Sequence, residues 1–377
     1  MTDHELERQI IEFRRALHRI PELDFDLPRT RAFLTEALTP LGCEITNLGK
    51  GGFTAFFDNH QATTIAFRSD MDAIPIDEPV GCAFRSENTG AMHACGHDGH
   101  MAILLGLALW LSKNGLNTGA SEVKANVLLV FQAAEETTGG AKLICDSGVF
   151  RNYGVSKIYG IHLWPGIPKG QIACRPGGFM AGTFVVEAEI EGRSAHIAEY
   201  KKGADALEAG CLFVEKAYAF ETTLPQNVFR LLRFGEFHAG TANNIVAAKA
   251  RISGAVRAYD DETFSALQDG IQTAARETAL RTGTQIEIRK SEGYPPVVNP
   301  PDLYEEAQAI LTAAGFAWQE PAEPLMTAED FAFYQREIPG LFLHLGTGAD
   351  VKLHSPAYTL DESVLLTGVQ LFRTLLI

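Results

Sequence analysis

The sequence has 377 residues, which predicts two domains because it exceeds what one hydrophobic core usually holds. Its 46% hydrophobic and 21% charged content is that of an ordinary globular protein. The formal charge of −15 argues against a nucleic-acid partner, since phosphate binding requires clustered Lys and Arg. The apolar run at 101–111 is too short to cross a bilayer, so no membrane partner is expected.

The N-terminus and the cysteines favour a cytoplasmic protein. The first residues are acidic and amphipathic, without the basic and apolar regions of a secretory signal. The cysteines are scattered and form no C-x-x-C pair, which is typical of reduced thiols in a cytosolic enzyme. They are Cys43, Cys82, Cys95, Cys145, Cys174 and Cys211.

The hydrophobic pattern of the first part of the chain predicts an α/β domain. Residues 5–19 have the spacing of an amphipathic helix that stops at Pro21. Short apolar runs then alternate with helical patterns, which predicts a doubly wound, largely parallel sheet. The expected strands are 63–68, 126–132 and 156–162, and the expected helices between them are 98–113 and 139–147.

The middle of the chain has a different pattern. Strands that alternate between apolar and polar residues predict an antiparallel sheet with one solvated face and helices on the other. The expected strands are 183–190, 228–237, 246–257 and 284–289, and the expected helices are 204–220 and 260–281. The α/β pattern returns at 341–346 and in a final helix from Asp361. We therefore predict one domain from 1–180 and 293–377, with a smaller α+β domain inserted at 181–292.

Polar residues follow the predicted parallel strands at their carboxyl ends, where ligands of such sheets bind. Asp70 and Asp72 follow the first strand, Glu135 and Glu136 follow the second, and His162 ends the third. A loop with the sequence M-H-A-C-G-H-D-G-H, residues 92–100, lies between the first two. Thiolate, imidazole and carboxylate are the ligands that Zn²⁺ and similar metals take, so the pattern predicts a metal site.

The adjacent glutamates can divide two tasks between them. A metal hydrolase needs one group that holds the ion and a free base that takes a proton from water. Neighbouring carboxylates at 135 and 136 can supply both.

Seven segments together resemble a known family. They are 15–23, 70–75, 92–100, 131–136 with 139–141, 160–162, 327–331 and 354–356. The sequence resembles the aminoacylase/carboxypeptidase G superfamily of dinuclear metallopeptidases. Within it, the sequence is most similar to the amidohydrolase branch of hippurate hydrolases, auxin-conjugate hydrolases and N-acetyldiaminopimelate deacetylases.

The resemblance implies roles for the residues at the strand ends. It makes Glu135 the general base and places Asp70 and Asp72 in support of the ligands. It also implies two divalent ions per subunit, with Zn²⁺, Mn²⁺, Co²⁺ or Ni²⁺ all suited. The implied ligands are Cys95, His97, Glu136, His162 and His354, with Cys95 bridging the ions.

The resemblance also implies roles in the inserted domain, as a lid and a homodimer interface. His196 would enter the active site of the partner subunit and support the oxyanion. Asn243 and Asn244 would face the substrate, and Arg257 could hold the substrate carboxylate by two hydrogen bonds. The residues after His196 lack the family's usual proline. For Arg257, an ordinary surface position is an equally natural interpretation.

Several other matching residues are expected to be structural. His18 lies near the C-terminus of the first helix, where a positively charged ring is favourable. Glu329 and Asp330 are expected to cap a helix near the site.

The resemblance therefore implies metal-dependent hydrolysis of the amide bond of an N-acylated amino acid, which would be a small-molecule partner. Three alternatives stay open. One is a metallo-dipeptidase or carboxypeptidase of the same superfamily. Another is a metal-free hydrolase with Cys95 as nucleophile and His97 or His162 as base. The third is an inactive homologue that acts as a binding module.

Overall fold

The computed structural model describes residues 1–79, 81–113 and 123–377. Its contacts divide the chain into two compact units. Unit 1 contains Met1–Gly177, Asn299–Glu323 and Asp330–Ile377, and unit 2 contains Gly178–Val298 and Pro324–Glu329. The predicted domain bounds, 1–180 with 293–377 and the inserted 181–292, stay a prediction.

The secondary structure follows the predicted alternation. The helices are α1 Asp3–His18, α2 Pro28–Leu38, α3 His97–Lys113, α4 Gly140–Asp146, α5 Val149–Asn152, α6 Ala206–Thr223, α7 Asp261–Thr282, α8 Pro301–Ala313, α9 Tyr334–Glu337 and α10 Val364–Thr374. The strands are β1 Glu44–Asn47, β2 Gly52–Phe57, β3 Thr64–Asp70, β4 Asn126–Gln132, β5 Val155–Trp164, β6 Ile172–Ala173, β7 Gly177–Met180, β8 Gly182–Glu191, β9 Arg230–Ala239, β10 Lys249–Ala258, β11 Gln285–Lys290, β12 Val297–Asn299, β13 Trp318–Gln319 and β14 Gly340–Gly346.

Unit 1 is built on an eight-stranded sheet in the order β1-β2-β4-β3-β5-β14-β6-β13. The four central strands, β4, β3, β5 and β14, run parallel to one another. Antiparallel pairs flank them, β2 with β4 on one side and β6 with β14 on the other. The predicted α/β fold class is confirmed, although the sheet is mixed because both flanks reverse direction.

A buried helix carries the site-bearing loop of unit 1. Residues 101–109 and Leu111 of α3 are all buried, so this helix has no solvated face along most of its length. It packs against α1 and α10. Thr2 and Glu5 form a capping box that satisfies free N–H groups at the start of α1. The result is a rigid support for the first turn of α3, where His97 lies.

Unit 2 contains a four-stranded antiparallel sheet in the order β11-β8-β10-β9, with α6 and α7 packed on it. Strand β8 alternates, and Phe184, Val186, Ala188 and Ile190 lie in the core of this unit. The intervening positions carry charged residues such as Glu187 and Glu189. One face is therefore apolar and helix-covered and the other is solvated, as predicted.

Two further findings concern the whole described chain. No helix in residues 1–79, 81–113 and 123–377 is long and apolar enough to cross a membrane. All six cysteines, each within these ranges, carry free thiols.

Candidate metal centre

The parallel strands of unit 1 bring the predicted acidic residues to one edge of the sheet. β3 ends at Asp70 and β4 ends at Gln132, in register with each other. Asp72 lies just beyond the first strand, and Glu135 lies just beyond the second. His162, expected at the end of its strand, lies inside β5, which continues to Trp164.

The loop that carries Cys95 and His97 depends on a glycine. Gly96 has a φ of +86°, a left-handed conformation that glycine adopts without steric penalty. A Cβ at this position would also lie 2.8 Å from the hydroxyl oxygen of Tyr358. The backbone therefore turns tightly here, and α3 begins immediately at His97.

His97 is oriented for metal binding through one ring nitrogen. Its Nδ1–H donates to the backbone oxygen of Asp72 at 2.7 Å. Its Nε2 is buried and has no hydrogen-bond partner in the described part of the chain, while Asp70 and Glu136 oxygens lie 3.7 and 3.8 Å away. Burial alone would lower the pKa of His97, but the surrounding carboxylates outweigh it and raise the pKa to about 10. The carboxylates of Asp70, Asp72 and Glu136 therefore favour a positive charge at this position.

Cys95 lies next to the second candidate imidazole. Its Sγ is 3.3 Å from Nε2 of His162, whose Nδ1–H donates to the oxygen of Leu163 at 2.9 Å. This second hydrogen bond fixes the tautomer that leaves Nε2 free for a metal. Burial, together with Glu136 and Glu135, raises the pKa of the Cys95 thiol well above its ordinary value. A thiolate here therefore requires a neutralising cation.

Glu136 and His354 complete a second group of donors. The Glu136 Oε1 and His354 Nε2 atoms are 3.1 Å apart. His354 has a φ of +62°, which is unusual for a residue with a side chain and is typical of functional sites. Cys95, Glu136 and His354 lie within 4.8 Å of one another, and so do Cys95, His97 and His162. The two triads share the Cys95 sulfur.

Asp72 positions the two glutamates rather than joining either triad. Its two carboxylate oxygens accept the backbone N–H groups of Glu135 at 3.0 Å and Glu136 at 3.1 Å. Ala134, directly before them, has a φ of +57°. The strained turn and the Asp72 clamp place a buried Glu135 beside the more exposed Glu136.

Asp70 is held by hydrogen bonds from side chains outside the predicted ligand set. It accepts from Nδ1 of His100 at 2.7 Å and from Arg68 at 2.8 Å. The Nε2 of His100 accepts the N–H of Leu163, which fixes the proton on Nδ1. Burial would raise the pKa of Asp70, but His97, His100 and Arg68 hold it well below its ordinary value.

Sequence reasoning missed a charged group behind this edge. Arg68 donates to Asp330 at 2.9 Å and to Gln132 at 2.8 Å, in addition to Asp70. Asp330 also accepts the N–H of Ala141 in the first turn of α4, the helix-capping role expected of it. The available signal was an arginine within one predicted buried strand and a glutamine at the end of the next.

The residues present fit a divalent metal site. A buried imidazole nitrogen that has no hydrogen-bond partner among the described residues, a thiol whose pKa is raised, and several carboxylates converge within a few ångströms. Thiolate with imidazole and carboxylate suits borderline metals such as zinc better than Mg²⁺ or Ca²⁺.

The remaining predicted residues lie in unit 2. His196 is exposed, and its Nδ1 accepts the N–H of Ala198 at 3.2 Å. The segment around it pairs with the asparagine segment, since Ile197 N–H donates to the oxygen of Asn244 at 3.0 Å. Asn243 and Asn244 are exposed. Arg257 is half-buried in β10 and donates one N–H to the oxygen of Met326. A 3₁₀ turn at Ile197–Lys202 follows His196, in the segment that lacks the proline usual in the family that the sequence resembles.

The chain is similar to known proteins in sequence and in structure. A family model described as peptidase family M20/M25/M40 matches residues 66–377. An N-acetyldiaminopimelate deacetylase from Lactococcus lactis is 35% identical over 374 residues, which is 96% of each chain. Another from Streptococcus suis is 33% identical over 366 residues, covering 94% of this chain and 95% of its own. A solved Bacillus subtilis structure, described as a dinuclear metal-binding peptidase of the M20 family, has a TM-score of 0.86 at 31% identity and covers 99% of this chain and 98% of its own.

Proposed function

We propose that this chain, which belongs to peptidase family M20/M25/M40, hydrolyses the amide bond of an N-acylated amino acid in a metal-dependent reaction. The family predicted from the sequence is confirmed, and the chain is a hydrolase of that family. The observation that carries the proposal is the sharing of one sulfur, Cys95 Sγ, by two donor triads beside a buried Glu135.

Five residues would hold two divalent ions in this proposal: Cys95, His97, Glu136, His162 and His354. Cys95 belongs to both triads, and the solved dinuclear relative supports the number of ions. Divalent ions at such a site supply Lewis acidity, which activates water and polarises a carbonyl oxygen. Zn²⁺, Mn²⁺, Co²⁺ and Ni²⁺ all suit this donor set.

Glu135 would act as the general base. It takes a proton from the attacking water and later gives that proton to the leaving nitrogen, so that a carboxylic acid and a free amine are formed. Asp72 supports this role because it holds the backbone N–H groups of both glutamates. That clamp keeps Glu135 and the ligand Glu136 in a fixed relation during proton transfer.

The substrate class follows from the relatives named as N-acetyldiaminopimelate deacetylases. An N-acetyl amino acid presents a small acyl group and a carboxylate. We assign Asn243, Asn244 and Arg257 to binding the amino-acid part of the substrate. Arg257 has one of its five donors engaged by Met326, which leaves others for a carboxylate.

The proposed function is tested by measuring amine release before and after the metal is removed and each metal is added back. The enzyme should lose activity in a chelator and regain it when Zn²⁺, Mn²⁺, Co²⁺ or Ni²⁺ is added to the stripped protein. Amine release should be fastest from N-acetyldiaminopimelate or another N-acetyl amino acid. Full activity with no bound metal contradicts the proposal, and faster cleavage of unblocked dipeptides identifies the chain as a dipeptidase instead.

The same proposal includes three further predictions. The protein forms a homodimer, it is located in the cytoplasm, and His196 takes part in catalysis. Because Nδ1 of His196 accepts a hydrogen bond, the proton of the neutral ring lies on Nε2. That N–H is the donor that a developing oxyanion needs. In the proposed two-fold dimer, this group acts in the site of the partner subunit.

Mixing two inactive variants tests the role of His196 across subunits. His196→Ala and Glu135→Gln are combined under conditions that exchange subunits. If His196 acts in the partner site, mixed dimers contain one intact site, and activity returns toward about a quarter of the wild-type level by the symmetry of the two-fold dimer. An inactive mixture, with exchange shown by mass spectrometry, rejects the shared site.

The cysteine-nucleophile alternative is disfavoured by the environment of Cys95. Burial and two glutamates raise the pKa of the thiol, whereas a nucleophilic cysteine needs a lowered pKa. Intact ligand and base positions likewise disfavour the inactive binding module.

A further inference from the structure

A second group of metal-binding side chains lies in unit 1, outside the site described above. His18 at the end of α1, Glu78 and Cys82 place one ligand atom each within 4.8 Å of one another. We propose that these three residues form a separate zinc site. Its ligands would be Nε2 of His18, Oε1 of Glu78 and Sγ of Cys82.

The orientation of His18 supports metal binding through Nε2. Its Nδ1–H donates to Oδ2 of Asp98 at 2.8 Å, and its Nε2 lies 3.2 Å from Oε1 of Glu78. A histidine that binds zinc usually donates its other N–H to a carboxylate, which fixes the tautomer. The His18 side chain is only 2% exposed and Glu78 only 7%, so both are held firmly.

Glu78 is oriented by its second oxygen. Oε2 accepts the backbone N–H of Ser86 at 2.6 Å, and Oε1 is the atom that faces His18. A tetrahedral zinc with bonds of about 2.0–2.1 Å to N and O separates those two ligands by roughly 3.3 Å. The observed separation of 3.2 Å matches this spacing, which is also the distance of a hydrogen bond.

Cys82 distinguishes this group from an ordinary ion pair. A protonated His18 between Asp98 and Glu78 would explain the two hydrogen bonds, but it needs no thiol. The sulfur adds a soft ligand, which favours Zn²⁺ over Mg²⁺ and Ca²⁺. A cavity of about 340 Å³ that borders all three residues has room for water as the fourth ligand.

The arginines beside the cavity do not oppose a cation. Arg14 donates to Asp98 at 2.8 Å and to Glu362 at 3.1 Å, and Arg15 donates to Glu362 at 2.6 Å. Both guanidinium groups also lie over the ring of Phe84, at 5.0 and 5.1 Å. Each positive charge is therefore already paired with a carboxylate.

The experiment measures protection of individual thiols in the metal-loaded enzyme. The protein is treated with iodoacetamide with and without added Zn²⁺, and alkylation of each cysteine is followed by peptide mass spectrometry. Zinc should slow alkylation of Cys82 by about tenfold or more, because a metal-bound thiolate is withdrawn from reaction. Cys211, which is exposed in unit 2, is the matched control and should react equally in both conditions.

Zinc content gives a second, independent readout. After equilibrium dialysis against Zn²⁺, Cys82→Ala and Glu78→Gln should each bind one ion fewer than the wild type, and Cys211→Ala should bind the same number. Both site variants should keep the hydrolase activity, so this test is separate from that of the proposed function. Equal zinc content in Cys82→Ala and Cys211→Ala, or no protection of a reactive Cys82, overturns the site and leaves a His18 ion pair.

Discussion

Two ion pairs, one in each unit, place their charged side chains in opposite environments. In unit 1, the Arg68 and Asp330 side chains are 1% and 0% exposed, and each makes several hydrogen bonds. In unit 2, the Arg251 and Glu187 side chains, which pair between strands β10 and β8, are 55% and 32% exposed. Pairing is a condition for burying the first charges, whereas the second pair is screened by water and salt. A charge inside an apolar strand therefore marks a site, and a charge on a solvated face does not.

The largest expected effect is on the rate of Glu135→Gln. The amide keeps the size of the side chain but cannot accept the proton, so turnover should fall on the order of 10²–10⁴-fold. Metal content should stay at the wild-type level, as measured by elemental analysis. Glu136→Gln, in contrast, should lose metal together with activity, because the resemblance makes that residue a ligand.

A matched control for this prediction lies on the solvated face of unit 2. Glu187→Gln changes an acid that faces water in β8. It should leave turnover unchanged. Near-normal turnover of Glu135→Gln would show that Glu135 is not the general base. It would also show that this buried acid matters no more for turnover than the solvated Glu187.

The next effect is on stability, in Arg68→Met. Two buried carboxylates, Asp70 and Asp330, would lose their cation, and breaking such buried pairs costs about 3–5 kcal/mol. The free energy of unfolding, measured in urea, should fall by that amount. A fall well below it would mean that water enters the group and that the burial is less complete than the structure indicates.

A smaller effect is expected from Gly96→Ala. The left-handed backbone of Gly96 costs an alanine roughly 1–2 kcal/mol, and the new Cβ would also meet the hydroxyl of Tyr358. The variant should lose stability and bind less metal, because the loop between Cys95 and His97 shifts.

Gly283→Ala is the matched control that isolates the effect of a left-handed backbone from that of a steric contact. Gly283 of unit 2 has a φ of +67° and no heavy atom within 4 Å of an added Cβ. It should lose stability without any change in metal content. Equal metal content in both variants would show that the loop tolerates the contact with Tyr358.

The smallest effect is expected for Arg251→Met. This substitution makes the same chemical change as Arg68→Met and also lies within a strand, but the ion pair of Arg251 with Glu187 is exposed. The urea midpoint should be unchanged within error. A clear loss of stability would show that the face of β10 is covered by another surface in solution.

The fold was predictable where local patterns decide structure. The buried strands β3 and β4 were found from continuous apolar runs, and β8 from strict alternation. The donor loop was found because Cys95 and His97 are close in sequence. These features depend on neighbouring residues, which a single sequence displays directly.

The parts that escaped prediction depend on contacts between distant segments. Arg68 and Asp330 are 262 positions apart, and no local pattern pairs them. His354 was found only through the family resemblance, since nothing near it in sequence shows that it meets Glu136. The clamp of Asp72 on two backbone N–H groups was also invisible, because any residue carries an N–H.

The place of β14 in the sheet has a consequence for how the chain folds during synthesis. β14 lies between β5 and β6, yet it follows the whole of unit 2 in the sequence. A growing chain therefore presents an unpaired edge of β5 while unit 2 is already emerging, and such edges favour association with other chains. The non-local closure of the sheet is also intrinsically slow. Nascent chains truncated before residue 340 should consequently bind chaperones more strongly than chains that include β14.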